Sequence, residues 1–336
     1  MQQNGVQLMQ GDCLELMRSM PADSVDLILT DPPYFKVKDE PWDNQWAKPD
    51  AFLSWLDSVL AEFQRILKPN GSLYMFASPQ MAARVEVLTG SRFNILNSIR
   101  WQKADGWHKR TRKEDLRRYL TPWEAVIFAE QFGADNSAKG ETGYAAQCDD
   151  LRGFVFEPLR SYLEAERKAA GLSREDVRAF FAAKLGTKGK VSGHFYDRAQ
   201  WMLPTPEMYE WLRECHNARG GQYLRREYED LRRPFAVDAS TLHTDSWHFD
   251  AVRPYPGKHP CEKPAAMLEH IITASSRPCA VVFDAFMGTG STGIAAVKLG
   301  RKFIGCEMAE HHFLDAKARI ASATPSNDNQ PIAAAA

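Results

Sequence analysis

Apolar residues along this chain of 336 residues fall into two patterns, and each predicts a different kind of element. Short unbroken runs occur at Val25-Asp26-Leu27-Ile28-Leu29-Thr30, Ser72-Leu73-Tyr74-Met75-Phe76, Ala125-Val126-Ile127-Phe128-Ala129, Val281-Val282-Phe283-Asp284 and Lys302-Phe303-Ile304-Gly305-Cys306-Glu307. Runs of this kind, in place of strict alternation, are expected of strands covered on both faces, as in a parallel sheet. Val6-Gln7-Leu8-Met9 and Phe93 to Trp101 are further strand candidates. Helical spacing appears at Phe52, Leu53, Leu56, Val59, Leu60, Phe63, Ile66 and Leu67, with Asp50 as the expected cap and Pro69-Asn70-Gly71 as the expected stop. Cys13 to Met20 and Ile294 to Leu299 read as shorter helices. Strands alternating with helices predict a doubly wound α/β sheet.

Residues 157 to 234 depart from this alternation. Leu159 to Lys168, a helix capped by Ser173 with Glu175 or Asp176 near its free N–H groups, Glu207 to Cys215, and a charged stretch from Tyr223 to Arg233 predict a mostly helical insert. The sheet domain is then expected over 1–156 and 235–321, with 322–336 a disordered tail. Ala170-Gly171-Leu172-Ser173-Arg174-Glu175-Asp176-Val177 resembles the first helix of a phage-repressor helix-turn-helix, with the turn lengthened by Leu185 to Val191. A target-recognition lobe and a packing insertion both remain open on this pattern.

Candidate chemistry sits where the apolar runs end. Asp31-Pro32-Pro33-Tyr34 follows Thr30: two prolines make a stiff, donor-poor turn that leaves the Pro32 carbonyl free to accept. Asp31 and that carbonyl suit an exocyclic NH2 group, and the Tyr34 ring suits a flat base. Phe35 to Lys48 lacks periodicity and reads as a mobile loop over the site. At the other end of the chain, Gly288, Gly290 and Gly293 follow Asp284, and Glu307 lies at the distance of a ribose-binding acid. Asp284 at the mouth of that loop would repel a pyrophosphate, yet suits an ammonium and a sulfonium. S-adenosylmethionine therefore fits better than a nicotinamide dinucleotide.

Phe286-x-Gly288-x-Gly290 together with Asp31-Pro32-Pro33-Tyr34 resembles the β group of DNA amino-methyltransferases, in which the catalytic motif comes first and the cofactor loop last. Gly11-Asp12-Cys13, Ile66 to Leu73 and His259-Pro260-Cys261-Glu262-Lys263-Pro264 extend the likeness over much of the chain. The resemblance implies a permuted Rossmann-like methyltransferase sheet, opened so that Val6 to Met9 and Val25 to Thr30 supply the third and fourth strands. The Val281 and Val25 strands then lie side by side with their carboxyl ends at one crevice. It implies a catalytic set of Asp31, Pro32 and Tyr34, and a target-base set of Pro33, Tyr34 and Phe35. The implied cofactor set is Asp12, Cys13, Asp31, Lys263, Pro264, Asp284, Phe286, Gly288, Gly290, Ser291, Thr292 and Glu307. An initial Asp in the catalytic motif goes mostly with N6-adenine and an initial Ser with N4-cytosine, so a site-specific adenine methyltransferase of double-stranded DNA is expected. An N4-cytosine enzyme is the alternative. A glutamine or RNA methyltransferase would more often begin the motif with Asn, and a non-catalytic DNA-binding regulator would have lost Asp31, Tyr34 or the glycines. Members of the resembled group often form homodimers.

The formal net charge of −1 points to no polyanionic partner, but its distribution does. Between Arg100 and Arg118 eight basic residues face only Asp105, Glu114 and Asp115, interleaved with Trp101, Trp107 and His108. Lys109, Arg110, Arg112, Lys113, Arg117 and Arg118 are the candidates for DNA contact. The six cysteines contain no C-x-x-C pair, so neither a metal site nor a disulfide framework is expected. No stretch approaches the roughly 18 apolar residues of a membrane span. A cytoplasmic protein without metal or membrane partner is the expectation.

Overall fold

The computed structural model describes residues 2–3, 5–37, 39–103, 112, 114, 116–117, 119–131, 156–197, 201–231, 234–235, 244–253 and 261–323. Two compact units result, Met1–Glu130 with Pro234–Ala336, and Gln131–Arg233.

In the first unit, nine strands make one sheet: β1 (Gln2–Gln3), β2 (Val6–Gln10), β3 (Val25–Thr30), β4 (Leu67–Ala77), β5 (Asn94–Gln102), β6 (Trp123–Glu130), β7 (Ser246–His248), β8 (Val281–Asp284) and β9 (Lys302–Glu307). Their order is β1-β2-β9-β8-β3-β4-β6-β5-β7. β2, β9, β8, β3 and β4 run parallel, and β6 is antiparallel to both β4 and β5. The permuted order expected from the sequence is therefore the order found, with β8 beside β3 although about 250 residues separate them.

Both faces of β3 are covered, which explains its unbroken apolar run. Val25 and Ile28 enter a cluster with Phe52, Leu56, Val59 and Phe63 of α3 (Pro49–Ile66), joined by α1 (Cys13–Arg18) and α4 (Ala82–Gly90). Leu27 and Leu29 enter another with Met267, Leu268, Ile271 and Ile272 of α9 (Ala265–Ser275), and with α10 (Ser291–Lys298) and α11 (Glu310–Ala321). Each such fully buried side chain contributes roughly 1.5–3 kcal/mol.

Some local expectations change. α3 begins at Pro49 with Lys48 at the cap position, so Asp50 sits inside the first turn, where its charge meets the free N–H groups without capping them. Pro69-Asn70-Gly71 does not stop the helix: α3 gives way directly to β4 at Leu67, and these residues form the register shift between Val25/Leu67 and Leu27/Ser72. Phe35 to Lys48 contains a one-turn helix, α2 (Pro41–Asn44), tied down by the fully buried Asp43 carboxylate, which accepts from Tyr34 N at 2.6 Å and Val37 N at 2.7 Å. The segment without periodicity thus holds local structure, and its Trp42 and Gln45 line the cleft described below.

The second unit has its own core, built from Leu163, Val177, Phe181, Phe195, Tyr209 and Leu212 among others. Its helices are α5 (Phe156–Ala169), α6 (Arg174–Leu185), α7 (Pro206–Asn217) and α8 (Tyr228–Leu231). α6 starts with the expected Ser173 cap, reciprocated by Asp176. After α6 the chain needs Gly189, at φ +61°, because a Cβ there would lie 2.3 Å from the Arg178 carbonyl oxygen. A 3-10 turn, Lys190–Phe195, follows where a helix-turn-helix would place its second helix. The charged helix expected over Tyr223 to Arg233 is confined to Tyr228–Leu231, since Leu224 holds φ +52° and interrupts any earlier helix. Of the expected tail, residues 324–336 lie outside the described residues, and Ser322 closes α11.

Candidate active site

The carboxyl ends of β3 and β8 are bonded to one another by side chains. Thr30 Oγ1 donates to Asp284 Oδ1 at 2.8 Å and accepts from Ala285 N at 3.2 Å, so the proline turn and the glycine loop open onto one cleft. Asp31, Pro32, Pro33 and Tyr34 line it from the turn. Phe286, Gly288, Ser291 and Thr292 line it from the loop, and Asp12, Cys13 and Glu307 from the ends of β2 and β9. Such a crevice beside the strand ends is where open α/β sheets bind ligands.

Three expected site residues lie elsewhere. Phe35 is half-buried and packs on Phe52 with ring centres 5.8 Å apart, against the core and outside the cleft lining. Pro264 caps α9 and Gly290 caps α10, and neither lines the cleft. Gly290 is required by packing: at φ +83° its Cβ would stand 2.9 Å from Ile320 Cδ1. Of the basic candidates, Arg112 and Arg117 are exposed, while Lys109, Arg110, Lys113 and Arg118 lie outside the described residues, as do His259 and Pro260.

Around Asp31 the groups form a charge network. The buried Lys263 ammonium lies 2.5 Å from Asp31 Oδ2, 3.0 Å from Tyr34 Oη and 3.4 Å from Glu124 Oε2, on the rings of Tyr34 and Phe76. Tyr34 Oη donates to Glu124 at 3.0 Å, and Lys103 pairs with the other Glu124 oxygen. Asp31 Oδ1 is buried and has no hydrogen-bond partner, and among the described residues no donor reaches the Pro32 carbonyl. Burial raises the Asp31 carboxyl above its usual range, opposed by Lys263. Burial also pushes Glu124 up, but the ammoniums of Lys263 and Lys103 outweigh it and hold that carboxyl low, at about 2. The Lys263 ammonium is itself raised: burial works against it, and the two carboxylates prevail. The Tyr34 phenol is raised by burial and by the neighbouring carboxylates, so it stays protonated.

The other half of the cleft holds a carboxylate without a counter-charge. Among the described residues Asp284 accepts only from neutral donors, the hydroxyls of Thr30 and Thr292 and the Phe286 amide, and burial pushes it up to about 6. Glu307 accepts from Gly288 N at 3.0 Å and Ala309 N at 2.8 Å, which fixes its orientation at the cleft wall. Asp12 caps α1 by accepting from the Leu14 and Glu15 amides. Cys13 is buried, and its thiol is pushed up to about 12, which makes it a wall and not a nucleophile. An ammonium-bearing, ribose-containing ligand would fit these acceptors, with Asp284 as its counter-charge and Glu307 facing the ribose hydroxyls. Among the described residues no group of His, Cys, Asp and Glu side chains is arranged to hold a metal ion, and no helix is long and apolar enough to cross a membrane.

Glu124 and Lys103 were not legible as site residues, because only the antiparallel pairings of β6 with β4 and with β5 bring them beside the turn. The one available signal was an acid placed just before the apolar run of β6. Trp42, Gln45 and Trp55 also line the cleft.

A family model described as DNA methylase, for N6 and N4 methyltransferases, matches residues 25–318. The chain is 26% identical over 310 residues to the DNA adenine methyltransferase YhdJ of Escherichia coli K12, spanning 90% of this chain and 78% of that one. Among solved structures it is similar to a DNA modification methylase of Thermus thermophilus complexed with S-adenosyl-L-methionine, at TM-score 0.51 and 21% identity over 95% of each chain. It is also similar to the cytosine-N4-specific PvuII DNA methyltransferase, at TM-score 0.54 and 14% identity, covering 98% of this chain and 91% of that one.

Proposed function

Because the chain belongs to the family of N6-adenine and N4-cytosine DNA methylases, we propose that it transfers a methyl group from S-adenosylmethionine to the N6 amino group of adenine in double-stranded DNA. The observation that carries this reading is Asp31 Oδ1, a buried acceptor without a partner, beside the free Pro32 carbonyl and in the same cleft as Asp284. Two acceptors at the mouth of a stiff turn match the two hydrogens of an exocyclic amino group.

S-adenosylmethionine, when bound, supplies an electrophilic methyl group on a sulfonium. Asp284 pairs with its ammonium and Glu307 holds its ribose hydroxyls. Asp31 and the Pro32 carbonyl accept the two amino hydrogens, which draws the nitrogen toward a pyramidal shape and frees its lone pair from the ring for in-line attack. The nitrogen lone pair would form the N–C bond as the S–C bond breaks with its electron pair going to sulfur, leaving a neutral thioether, and the cationic amine would give one proton to Asp31 Oδ1, which passes it to solvent. The base reaches the cleft only after leaving the duplex, at a cost of a few kcal/mol that contact with Tyr34 partly offsets. Lys263 and Glu124 both hold Tyr34 at its hydroxyl, which fixes the ring in the cleft.

Adenine is favoured over cytosine by the initial Asp of the turn, on the pattern of the β group that the motif order resembles, and by the relative named for adenine methylation. Arg112 and Arg117, with the rest of the basic segment, contact phosphates in this reading. Two copies of the chain, each carrying one cleft, act as a homodimer. Mass spectrometry of nucleosides from duplex DNA incubated with the protein and methyl-labelled cofactor tests the function. N6-methyladenine is expected; N4-methylcytosine would replace the base assignment, and no labelled nucleoside on any duplex would end it.

A further inference from the structure

Lys263 is placed as a cofactor residue by motif resemblance, yet its hydrogen-bond and ion-pair partners belong to the catalytic turn, to Glu124 of β6 or to its own backbone segment. We propose that Lys263 is a positioning residue for methyl transfer: held by Glu124, its ammonium fixes Asp31 through Oδ2 and so keeps Oδ1 ionised and unpartnered for the amino group. This rests on the proposed function and assigns within it two roles, for Lys263 and Glu124, that the cofactor and base themselves do not require.

The geometry argues for it in three steps. First, Asp31 binds with one oxygen only, and the asymmetry is set by Lys263 at 2.5 Å from Oδ2 while Oδ1 stays without a partner. A carboxylate free to rotate would present either oxygen; one held at Oδ2 presents Oδ1 every time, and misplacement by about 1 Å can cost roughly 100-fold in rate. Second, Lys263 cannot leave its position without breaking contacts to Glu124, Tyr34 Oη and the Asp31 carboxylate together. Third, the network is electrically closed, with Asp31 and Glu124 balanced by Lys263 and Lys103. That balance is what lets a carboxylate stay ionised out of water, where burial alone would favour the protonated acid. A protonated Asp31 would be a donor facing a donor, and the amino group would lose an acceptor.

The titratable groups facing Asp31 are Lys263 from the segment before α9, Glu124 from β6, Tyr34 from its own turn and Asp284 from β8. Of these only Lys263 is cationic, so its removal acts in one direction. The acidic limb of the transfer rate, which reports ionisation of Asp31, moves to higher pH.

The test is single-turnover methyl transfer as a function of pH with saturating cofactor, on the full chain carrying Lys263→Met, Lys263→Arg, Glu124→Gln or the charge-balanced pair Lys263→Met with Glu124→Gln, each also titrated with cofactor. Lys263→Met is expected to lose about 100-fold in rate at neutral pH, with cofactor affinity within about threefold of the parent and the acidic limb displaced upward by about one pH unit or more. Lys263→Arg is expected to restore the position of the acidic limb, because it keeps the charge, with part of the rate. Glu124→Gln is expected to lose less than Lys263→Met. The pair keeps the net charge of the network at zero, which limits the loss of folding that Lys263→Met alone risks, and it is expected to stay slow because Asp31 still lacks its cation. Unchanged rate and limb in folded Lys263→Met or in the balanced pair would overturn the inference, as would a loss that appears wholly in cofactor affinity. Failure of the proposed function is distinguishable: there the parent itself would transfer no methyl group to duplex DNA, whatever stands at position 263.

Discussion

Two carboxylates, Asp31 and Asp284, end adjacent strands of one sheet, and both are buried and pushed upward by loss of water. Their partners differ. Asp31 carries an ammonium of the protein on one oxygen and nothing on the other, whereas Asp284 is surrounded by hydroxyls and an amide and by no cation among the described residues. The first is a charge already neutralised, with one lone-pair site left over for a neutral hydrogen-bond donor. The second is a charge still waiting for its counter-ion. One cleft thus holds a half built for an amino group and a half built for a cation, and the methyl group passes between them.

The largest expected break in this comparison is Asp31→Asn, which substitutes a donor for one acceptor. It should lower methyl transfer by about a thousandfold while cofactor affinity, measured by calorimetry, stays within a few-fold of the parent. Asp284→Asn should do the opposite, weakening cofactor binding by about 10- to 100-fold through loss of a charge-assisted pair.

The pH dependence of Asp284 sharpens the difference. Its carboxyl must be ionised to hold an ammonium, so cofactor affinity of the parent should fall as pH drops through about 6, and the Asp284→Asn variant should lack that fall. Stability without cofactor runs the other way. A carboxyl whose folded-state pKa is raised favours the fold fully below the unfolded value and loses that contribution as pH rises through the folded value near 6. Asp284→Asn removes the buried charge and should therefore stabilise the cofactor-free protein at pH 8 by about 2 kcal/mol, read by denaturant unfolding.

A smaller effect is expected at Asp43, which supports the catalytic turn from beneath. Phe35 and Lys36 both hold left-handed backbone, at φ +61° and +60°, and the Asp43 carboxylate bonds the amides on either side of them. Two such residues in succession cost about 1 kcal/mol each or more and need an external hold. Asp43→Ala should destabilise the protein by about 3 kcal/mol and slow transfer about tenfold through misplacement of the turn. Smallest of all, Tyr34→Phe keeps the ring and loses the hydroxyl bonds to Glu124 and Lys263, for a rate loss of about threefold to tenfold.

The sheet was legible from the sequence because each central strand announces itself twice, by an apolar run covered on both faces and by a chemical motif where the run ends. Asp31 after Thr30, Asp284 before the glycines and Glu307 at the end of β9 all follow that rule. Glu124, Lys103 and Asp43 do not. The first two reach the turn through an antiparallel strand pairing that no local pattern records, and Asp43 lies in a segment without periodicity, where burial of a single carboxylate is decided by the amides it finds. Phe35 misled for a related reason: adjacency to the motif suggested the cleft, but the left-handed turn sends its ring to Phe52 in the core. Asp50 and the Pro69 turn misled because proline at the start of α3 and a bulge in β4 did the work assigned to a cap and a stop.

The division of labour between the two carboxylates is tested most directly by single-turnover methyl transfer to duplex DNA, followed as cofactor concentration is raised, for Asp31→Asn and Asp284→Asn side by side. The account predicts that the Asp284 variant climbs back toward the parental rate as cofactor saturates, while the Asp31 variant stays slow at every concentration. Recovery of the Asp31 variant at high cofactor, with the Asp284 variant remaining slow, would contradict it.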